Sequence, residues 1–324
     1  MSRYAEIDLS AVKTVSIHDR DNKVSVADFG RPLAFPGAAA WLDGLPRILA
    51  ADRLRQLVRA LHEARHKGRT RLFMLGGHVM KTGVSPYLVD LMRRGFMTHV
   101  ASNGSLSIHD VETALFGRTS EDVADTLERG VFGMVRETPH FMFAAFREGR
   151  ERQEGMGECL GRRLLQGLAP HAEHSLLAQA YAQGLPATVH VSLGGDILHQ
   201  HPGADGATLG ELSLRDFRIL AGSLVNLGDG GVVVNLGSAV VMPEVFLKAL
   251  TVARNVHGPV REFTAANLDM LQHYRPAENV LRRPILGGGR GLAITGHHEI
   301  LVPLLHALLT TAETEAGSDN LESV

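Results

Sequence analysis

The sequence predicts an α/β domain built on a doubly wound, mainly parallel sheet with helices on both faces. Apolar segments of about four to seven residues alternate with helical patterns of about 10 to 15 residues along most of the chain. Many of the apolar segments end in glycine or in a polar turn. Because neighbouring parallel strands need a long crossover connection, and a helix supplies one, this alternation favours a parallel sheet covered by helices.

The first predicted unit is a helix followed by a strand. The helix runs from Asp52 to Lys67, and the strand from Arg71 to Leu75 ends at the pair Gly76-Gly77. The same reasoning predicts further elements along the chain: helix Ser85–Arg94, strand Phe96–Ala101, helix Ser107–Leu115, helix Ser175–Gln183, strand Ala187–Leu193, helix Leu214–Leu227, strand Gly231–Leu236, helix Pro243–Asn255, strand Gly291–Thr295 and helix Glu299–Leu309.

The domain organisation follows from these elements. Residues 1–35 are predicted to be an irregular N-terminal segment, and residues 36–311 a single α/β domain of the nucleotide-binding type. A stretch near 120–168 is rich in Arg and Glu with little strand signal, and it is interpreted as a helical excursion. The acidic segment 312–324 is expected to be a disordered tail.

Composition narrows the class of partner. Lys and Arg total 33 against 35 Asp and Glu, so the net charge of −2 predicts neither nucleic acid nor a membrane surface as partner. A small-molecule substrate that is nearly neutral, or another protein, is the more natural partner. The single cysteine, Cys159, and the lack of a basic-then-apolar N-terminus predict a cytoplasmic protein.

Polar and glycine-rich turns follow the predicted strands. Ligands of open parallel sheets bind outside the carboxyl ends of strands, and glycine amides and helix N-termini suit phosphate groups. Isolated strand-end glycines often do no more than turn the chain, but several in one sheet favour a pocket. The turns comprise Gly76-Gly77-His78, Ser102-Asn103-Gly104-Ser105, Gly194-Gly195-Asp196, Gly237-Ser238 and Thr295-Gly296-His297-His298.

Histidines provide an alternative interpretation. The chain has 17, and His199 and His201 lie two residues apart, so that on an extended segment both face one side. With Asp196 nearby, they are the candidate ligands of Zn²⁺ or Fe²⁺ in a metal-dependent hydrolase. The same residues also fit an ordinary polar loop, and no H-E-x-x-H motif or cysteine cluster accompanies them.

Several carboxylates are candidates for acid or base catalysis. An acid in the first turn of a helix is often only a cap, and Glu244 and Glu299 fit that role best. Asp196 and Asp269 fit it less well, because Asp196 follows two glycines and Asp269 ends a polar stretch in an apolar region.

Taken in order, the strand-end segments resemble the deoxyhypusine synthase family from about Gly76 to Leu309. Order and spacing carry the resemblance, and the segments concerned are Lys81-Thr82-Gly83, Ser102 to Ser105, His109-Asp110, Ser192 to Ile197, Leu236 to Val241, Thr264-Ala265-Ala266 with Asp269, Gly296-His297-His298 and Arg275 to Ile285. The resemblance implies a Rossmann-like fold, a homotetramer and bound NAD. The implied cofactor contacts are Gly76, Gly77, His78, Ser102, Asn103, Gly104, Gly237, Ser238, Thr264, Ala265, Gly296 and His297.

The last of these runs departs from the family at its central residue. The family's tryptophan-glycine-lysine is Arg282-Arg283-Pro284 here, and in the family that lysine forms an imine with the butylamine group derived from spermidine. Proline has no primary amine, so this covalent chemistry is not expected. We therefore expect a NAD-dependent transferase or oxidoreductase that acts on a small substrate and does not make deoxyhypusine.

The expected catalytic set contains one histidine, four acids and an arginine that positions an anionic group of the substrate: His109, Asp110, Asp196, Asp269, Glu278 and Arg282. Arg282 and Arg283 are equally compatible with solvated surface charge. Besides the metal-dependent hydrolase, a non-catalytic ligand-binding homologue remains an alternative, since the family's central lysine is missing.

Overall fold

A computed structural model describes residues 9–32, 44–167 and 169–318, with the side chains described as far as Thr311. The helices are α1 Leu49–His66, α2 Gly77–Lys81, α3 Ser85–Arg93, α4 Gly104–Phe116, α5 Val123–Glu128, α6 Glu137–Arg152, α7 Met156–Leu165, α8 Leu176–Ala182, α9 Gly206–Ser223, α10 Val241–His257 and α11 His298–Ser318. The strands are β1 Asn22–Ser25, β2 Arg71–Leu75, β3 His99–Asn103, β4 Arg118–Glu121, β5 Ala187–His190, β6 Val232–Leu236, β7 Phe263–Asp269 and β8 Gly289–Thr295.

Six of the strands form one parallel sheet in the spatial order β5-β3-β2-β6-β7-β8. The chain starts this sheet at its centre, adds β3 and β5 on one side, and then returns to add β6, β7 and β8 on the other. This is the doubly wound order of dinucleotide-binding folds, with the direction reversing between β2 and β6. The predicted fold class is confirmed.

Helices cover both faces because side chains alternate along each strand. From β2, Phe73 and Leu75 pack into the larger core beneath α1, α3, α4 and α11. Leu72 and Met74 face the other way, into a second core with α9 and α10. Burial on both faces explains why the β2 and β6 sequences read as continuous apolar runs.

The outer edge of the sheet, at β5, is closed by side chains of α9. The Asp216 carboxylate accepts from the backbone N–H of Val189, at 2.7 Å, and from that of Gly157 at the start of α7, at 3.0 Å. Ser213 Oγ accepts from the N–H of Val191, at 3.2 Å. Two amides at this edge, those of Val189 in β5 and of Val191 just beyond it, are thus bonded to side chains.

Several boundaries differ from those predicted. Helix α9 begins at Gly206, eight residues earlier than expected, because Asp205 caps it by accepting from the N–H groups of Ala207 and Thr208. Strand β7 was missed, since its Asn267 is polar although wholly buried. The short antiparallel pair of β1 and β4 was also missed.

The two ends of the predicted domain organisation are only partly described. Helix α11 continues to Ser318, into the segment expected to be disordered from residue 312. The rest of that tail, 319–324, lies outside the described residues, as do 1–8 and 33–43 of the N-terminal part. The segment near 120–168, interpreted above as a helical excursion, contains α5, α6 and α7 and also the end of β4.

Candidate active site at the carboxyl edge of the sheet

The turns after β2 and β6 meet where the strand order reverses. Gly76 N–H donates to Leu236 O at 2.9 Å, and a Cβ added at Gly76 would lie 2.1 Å from the carbonyl oxygen of Gly237. Gly237 has a φ of +63°, in the left-handed region that glycine adopts without strain. Glycine at 76 therefore allows the two backbones to approach closely, and an added Cβ at Gly237 would lie 2.7 Å from His298 Cε1. Crevices at such a reversal are where dinucleotides bind in open parallel sheets.

Amide side chains order the turns after β6 and β7. Asn235 Nδ2 donates to Asn267 Oδ1 at 2.6 Å and to the carbonyl of Ser238 at 3.0 Å. Asn267 Nδ2 in turn donates to Gln272 at 2.8 Å, and Ser238 Oγ accepts from the N–H of Met242 at the start of α10. This network fixes the backbone around the predicted contacts Gly237 and Ser238.

Two histidines and an aspartate border the same crevice. The rings of His78 and His298 lie 5.9 Å apart, and His298 Nε2 lies 3.2 Å from the carbonyl of Leu268. Burial lowers the pKa of His78, and neighbouring His298 and Lys81 lower it further. Asp269, at the carboxyl end of β7, has no side-chain hydrogen bond or ion pair within the described ranges.

Beside the crevice lies a cavity of about 160 Å³ whose walls come from the N-terminal segment, α2, α4, β4 and the loop after β5. The charged and polar residues that line it are Arg20, Lys81, Ser105, His109, Glu112, Ser120, Glu121 and Asp196. These residues differ in their charge and in their hydrogen-bond partners.

Arg20 is neutralised within the cavity wall. Its guanidinium donates to both carboxylate oxygens of Glu112, at 2.9 and 3.2 Å, and lies 3.6 Å from Glu121. Two further bonds go to Asn22 Oδ1, at 2.7 and 2.9 Å. Such a bidentate pair fixes the arginine and leaves it little capacity for a ligand.

Lys81 is the second cation that lines the cavity, and its surroundings differ from those of Arg20. It ends helix α2, and no carboxylate of the described residues lies within ion-pair distance of it. Burial lowers its pKa, although the more distant Glu112 and Glu121 oppose the shift. A cation without a direct partner in a cavity is suited to bind an anionic group.

Asp196 comes from the loop after β5 and lies against the N-terminus of α4. A Cβ added at Gly104 would lie 2.1 Å from its Oδ2, which has no hydrogen-bond partner in the described parts of the chain. At the turn Ile197–Gln200, the backbone N–H of Asp196 donates to His199 Nδ1 at 3.3 Å. Burial raises the pKa of Asp196 to about 6, close to the range useful for proton transfer.

His109 reaches the cavity from α4. Its Nδ1 lies 2.8 Å from Thr119 Oγ1, and Thr119 donates to Glu112 at 2.5 Å. Burial lowers the pKa of His109 to about 3, and nearby Lys81 and Arg20 add to the shift, so the imidazole is neutral near neutral pH.

Other predicted catalytic residues lie elsewhere. Asp110 faces away from the cavity and caps α8, where it accepts from Ser175 and from the N–H of Leu176. Residues 274–285, between β7 and β8, form a short irregular helical segment. Glu278 and Arg282 form an i, i+4 ion pair on it, and Arg282 is exposed. Neither group lines the cavity.

The predicted cofactor contacts lie in several different places. Gly76, Gly77 and Gly237 meet at the carboxyl edge, and Ser238, His78 and Gly296 border it. Ser102, Asn103 and Gly104 end β3 and begin α4, where the Asn103 side chain is used as the helix cap. Thr264 and Ala265 lie towards the opposite end of β7, paired with Val232 and Val233 at the start of β6. His297 has an exposed side chain.

The histidines proposed as metal ligands have other partners. His199 Nδ1 accepts from the N–H of Gly194 at 3.1 Å, whereas His201 Nε2 lies 2.9 Å from the carbonyl of Gly133. In the described part of the chain, no group of three His, Cys, Asp or Glu side chains is arranged to hold a metal ion.

Sequence reasoning did not single out Arg20, Lys81 or Glu112, which line the cavity, or Thr119, which binds His109 and Glu112 behind it. Lys81 stood in the turn Lys81-Thr82-Gly83 but was not singled out. The others become visible only once β1 and β4 are known to pair beside α4.

The fold can be compared with known proteins. A family model of the arginine dihydrolase ArgZ-like, C-terminal, Rossmann-fold domain matches residues 55–133. A conserved LOR/SDH protein from Methanococcus maripaludis S2 is similar with 15% identity and a TM-score of 0.51, over 87% of this chain and 74% of that chain. AgrE, in a ternary complex with ornithine and NAD+, is similar with 14% identity and a TM-score of 0.51, over 81% of this chain. This chain spans 33% of the AgrE chain.

A structure from Entamoeba histolytica named as a deoxyhypusine synthase has 10% identity and a TM-score of 0.46, over 81% of this chain and 88% of that chain. No curated protein matches the sequence. None of the described helices combines the length and apolar character needed to cross a bilayer. The comparisons establish a Rossmann fold, and they do not single out the deoxyhypusine synthase family.

Proposed function

We propose that this chain is a NAD-dependent enzyme that binds the dinucleotide at the crevice between β2 and β6 and acts on a small substrate in the adjacent cavity. The observation that carries the proposal is the close approach of Gly76 and Gly237 at the point where the strand order reverses. In open parallel sheets a dinucleotide binds in the crevice at such a reversal, and glycine at these positions gives the turns that border it their close packing. Bound NAD supplies hydride transfer.

The Asp269 carboxylate is suited to hold a ribose. It ends β7, the second strand of the unit β6-α10-β7, and it lacks a partner within the described residues. An acid at the end of the second strand of such a unit commonly accepts hydrogen bonds from ribose hydroxyls. We therefore assign Asp269 to the cofactor rather than to acid or base catalysis.

The cavity is suited to a substrate with an anionic group. Among the described residues, no carboxylate pairs directly with Lys81, whereas Arg20 is held by Glu112 and Glu121. Arg282 was expected to position this group, but it is exposed and paired with Glu278. Lys81 replaces it in the proposal, with Asp196 as the acid or base at the other side of the cavity.

Deoxyhypusine formation is not part of the proposal. Pro284 lies in the turn Arg283–Ile285, where its carbonyl accepts from Arg254 at 2.6 Å. Proline offers no primary amine, and Lys81 lies on α2, in another part of the fold. The AgrE complex contains ornithine and NAD+, so small amino acids are suitable first substrates to screen.

Calorimetric titration with NAD tests the proposal. We expect saturable binding by the unaltered protein, and a loss of affinity of about tenfold to a hundredfold for Asp269→Ala, since hydrogen bonds to a charged group contribute about 1.5–3 kcal/mol. Asp229→Ala removes an exposed acid near the opposite edge and serves as the matched control. Absence of NAD binding by the unaltered protein would refute the proposal.

Two further expectations belong with this function. NADH formation in a screen of small amino and hydroxy acids separates an enzyme from a non-catalytic binding homologue. Light scattering tests the homotetramer implied by the resemblance.

A further inference from the structure

A buried chain of hydrogen bonds runs from the back of the cavity to His109. Thr119 lies at its centre, fully buried, with its hydroxyl 2.8 Å from His109 Nδ1 and 2.5 Å from Glu112 Oε2. Glu112 is buried as well and also accepts from Arg20 and, at 3.1 Å, from Thr138. The histidine ring borders the cavity, and its Nε2 has no hydrogen bond to any described residue.

Counting protons along this chain fixes the state of the histidine. Glu112, paired with Arg20, is a carboxylate and can only accept hydrogen bonds. Thr119 has one hydroxyl proton, and it is donated to Glu112. The bond between Thr119 and His109 therefore requires the proton to be on Nδ1, because the threonine has only a lone pair left to offer.

We propose that Thr119 and Glu112 act as positioning residues that hold His109 in the Nδ1–H tautomer, so that Nε2 presents a lone pair to the substrate. The inference rests on the proposed function for the identity of the cavity as the substrate site. It specifies the substrate class further, since the group next to His109 must donate a hydrogen bond, as a hydroxyl or an amino group does. Together with an anionic group at Lys81, this describes a small hydroxy acid or amino acid.

Charges around the ring support the same state. Arg20 and Lys81 both line the cavity with His109, and their positive charges disfavour an imidazolium there. A neutral ring with a defined tautomer is consistent with this environment. The arrangement resembles other active sites in which a third group orients a histidine through its second ring nitrogen.

Nitrogen NMR of protein labelled with [15N]histidine tests the inference without any ligand. We expect signals of a histidine with a protonated Nδ1 and an unprotonated Nε2 at neutral pH that vanish in His109→Gln, which assigns them to His109. His99 Nδ1 lies 2.7 Å from Ser223 Oγ, whose proton is donated to Ile219 O, so His99 should give a second set of this kind that His109→Gln leaves in place. Thr119→Val removes the acceptor and is expected to abolish the single tautomer, whereas Thr119→Ser keeps the hydroxyl and should retain it. An Nε2–H tautomer at His109 in the unaltered protein would overturn the inference, and this holds even if Thr119→Val fails to fold.

The two proposals fail separately. Protein that shows the Nδ1–H tautomer but does not bind NAD would refute the proposed function and leave the hydrogen-bond chain intact. Protein that binds NAD but shows the other tautomer would refute the chain alone.

Discussion

Replacing Gly76 by alanine tests the geometry at the centre of the crevice. The new Cβ would lie 2.1 Å from Gly237 O and 2.7 Å from Gly237 C, whereas such contacts are essentially never shorter than 3.0 Å. The turns must therefore separate by roughly 0.9 Å, the difference between 3.0 and 2.1 Å. The φ of Gly76 is −93°, so the backbone itself accepts alanine and the effect is steric.

The cost follows from what this separation disturbs. Overpacking of a well-packed site costs about 1–3 kcal/mol. The bond from Gly76 N–H to Leu236 O, now 2.9 Å, would be stretched, and losing it adds about 1 kcal/mol. We expect a loss of about 2–4 kcal/mol in the free energy of unfolding, together with weaker NAD binding.

Urea denaturation measures the first effect and calorimetric titration the second. Gly210→Ala is the matched control, because Gly210 is an exposed position inside α9 and an added Cβ meets nothing within 4 Å. There we expect a gain of about 0.5–1 kcal/mol from the higher helix propensity of alanine. A Gly76→Ala protein as stable as the unaltered one, with unchanged NAD affinity, would refute the close approach of the two turns.

Three further predictions follow from buried or paired charges. Burial raises the pKa of Asp216 to about 7, so its contribution to stability is present below the unfolded-state value of about 3.8 and is lost as the pH rises through 7, at most about 4 kcal/mol. The free energy of unfolding of Asp216→Asn, measured by denaturation across that pH range, should fall less steeply with rising pH than that of the unaltered protein. The same dependence on pH in both proteins would show that Asp216 is not its cause. Lys81→Met should raise the denaturation midpoint, because burial disfavours the charged amine, while it weakens binding of the anionic substrate; a lower midpoint would show that Glu112 and Glu121 outweigh burial. Arg282→Ala should leave NAD affinity unchanged, since its partner Glu278 lies on the same surface segment, and a large loss would return Arg282 to the site.

The periodic pattern of the sequence predicted the parallel sheet and its central strands, because a strand buried on both faces reads as an apolar run. Strand β7 did not follow that pattern. Its Asn267 is buried but hydrogen-bonded to Asn235 across the sheet, a pairing that depends on the register of two strands about 30 residues apart. Such a partner cannot be recognised from either strand alone.

The candidate site was predictable where it depends on turn residues and not where it depends on packing. Gly76 and Gly237 follow apolar runs, and the sequence places both at strand ends. Arg20 enters the cavity from the N-terminal segment, and its role depends on the pairing of β1 with β4, which four-residue strands do not reveal. Asp110 adjoins His109 in sequence, yet it points to the other side of α4, because successive residues of a helix are about 100° apart.

The closed edge at β5 has a consequence for how copies of this chain can associate. An exposed edge strand offers unpaired amides on which a second sheet can grow, and this is a common route to aggregation. Here the outward amides of Val189 and Val191 are already bonded to Asp216 and Ser213. Association that continued the sheet across β5 would first have to displace helix α9, so any oligomer at this side must form by packing of helices rather than by sheet extension.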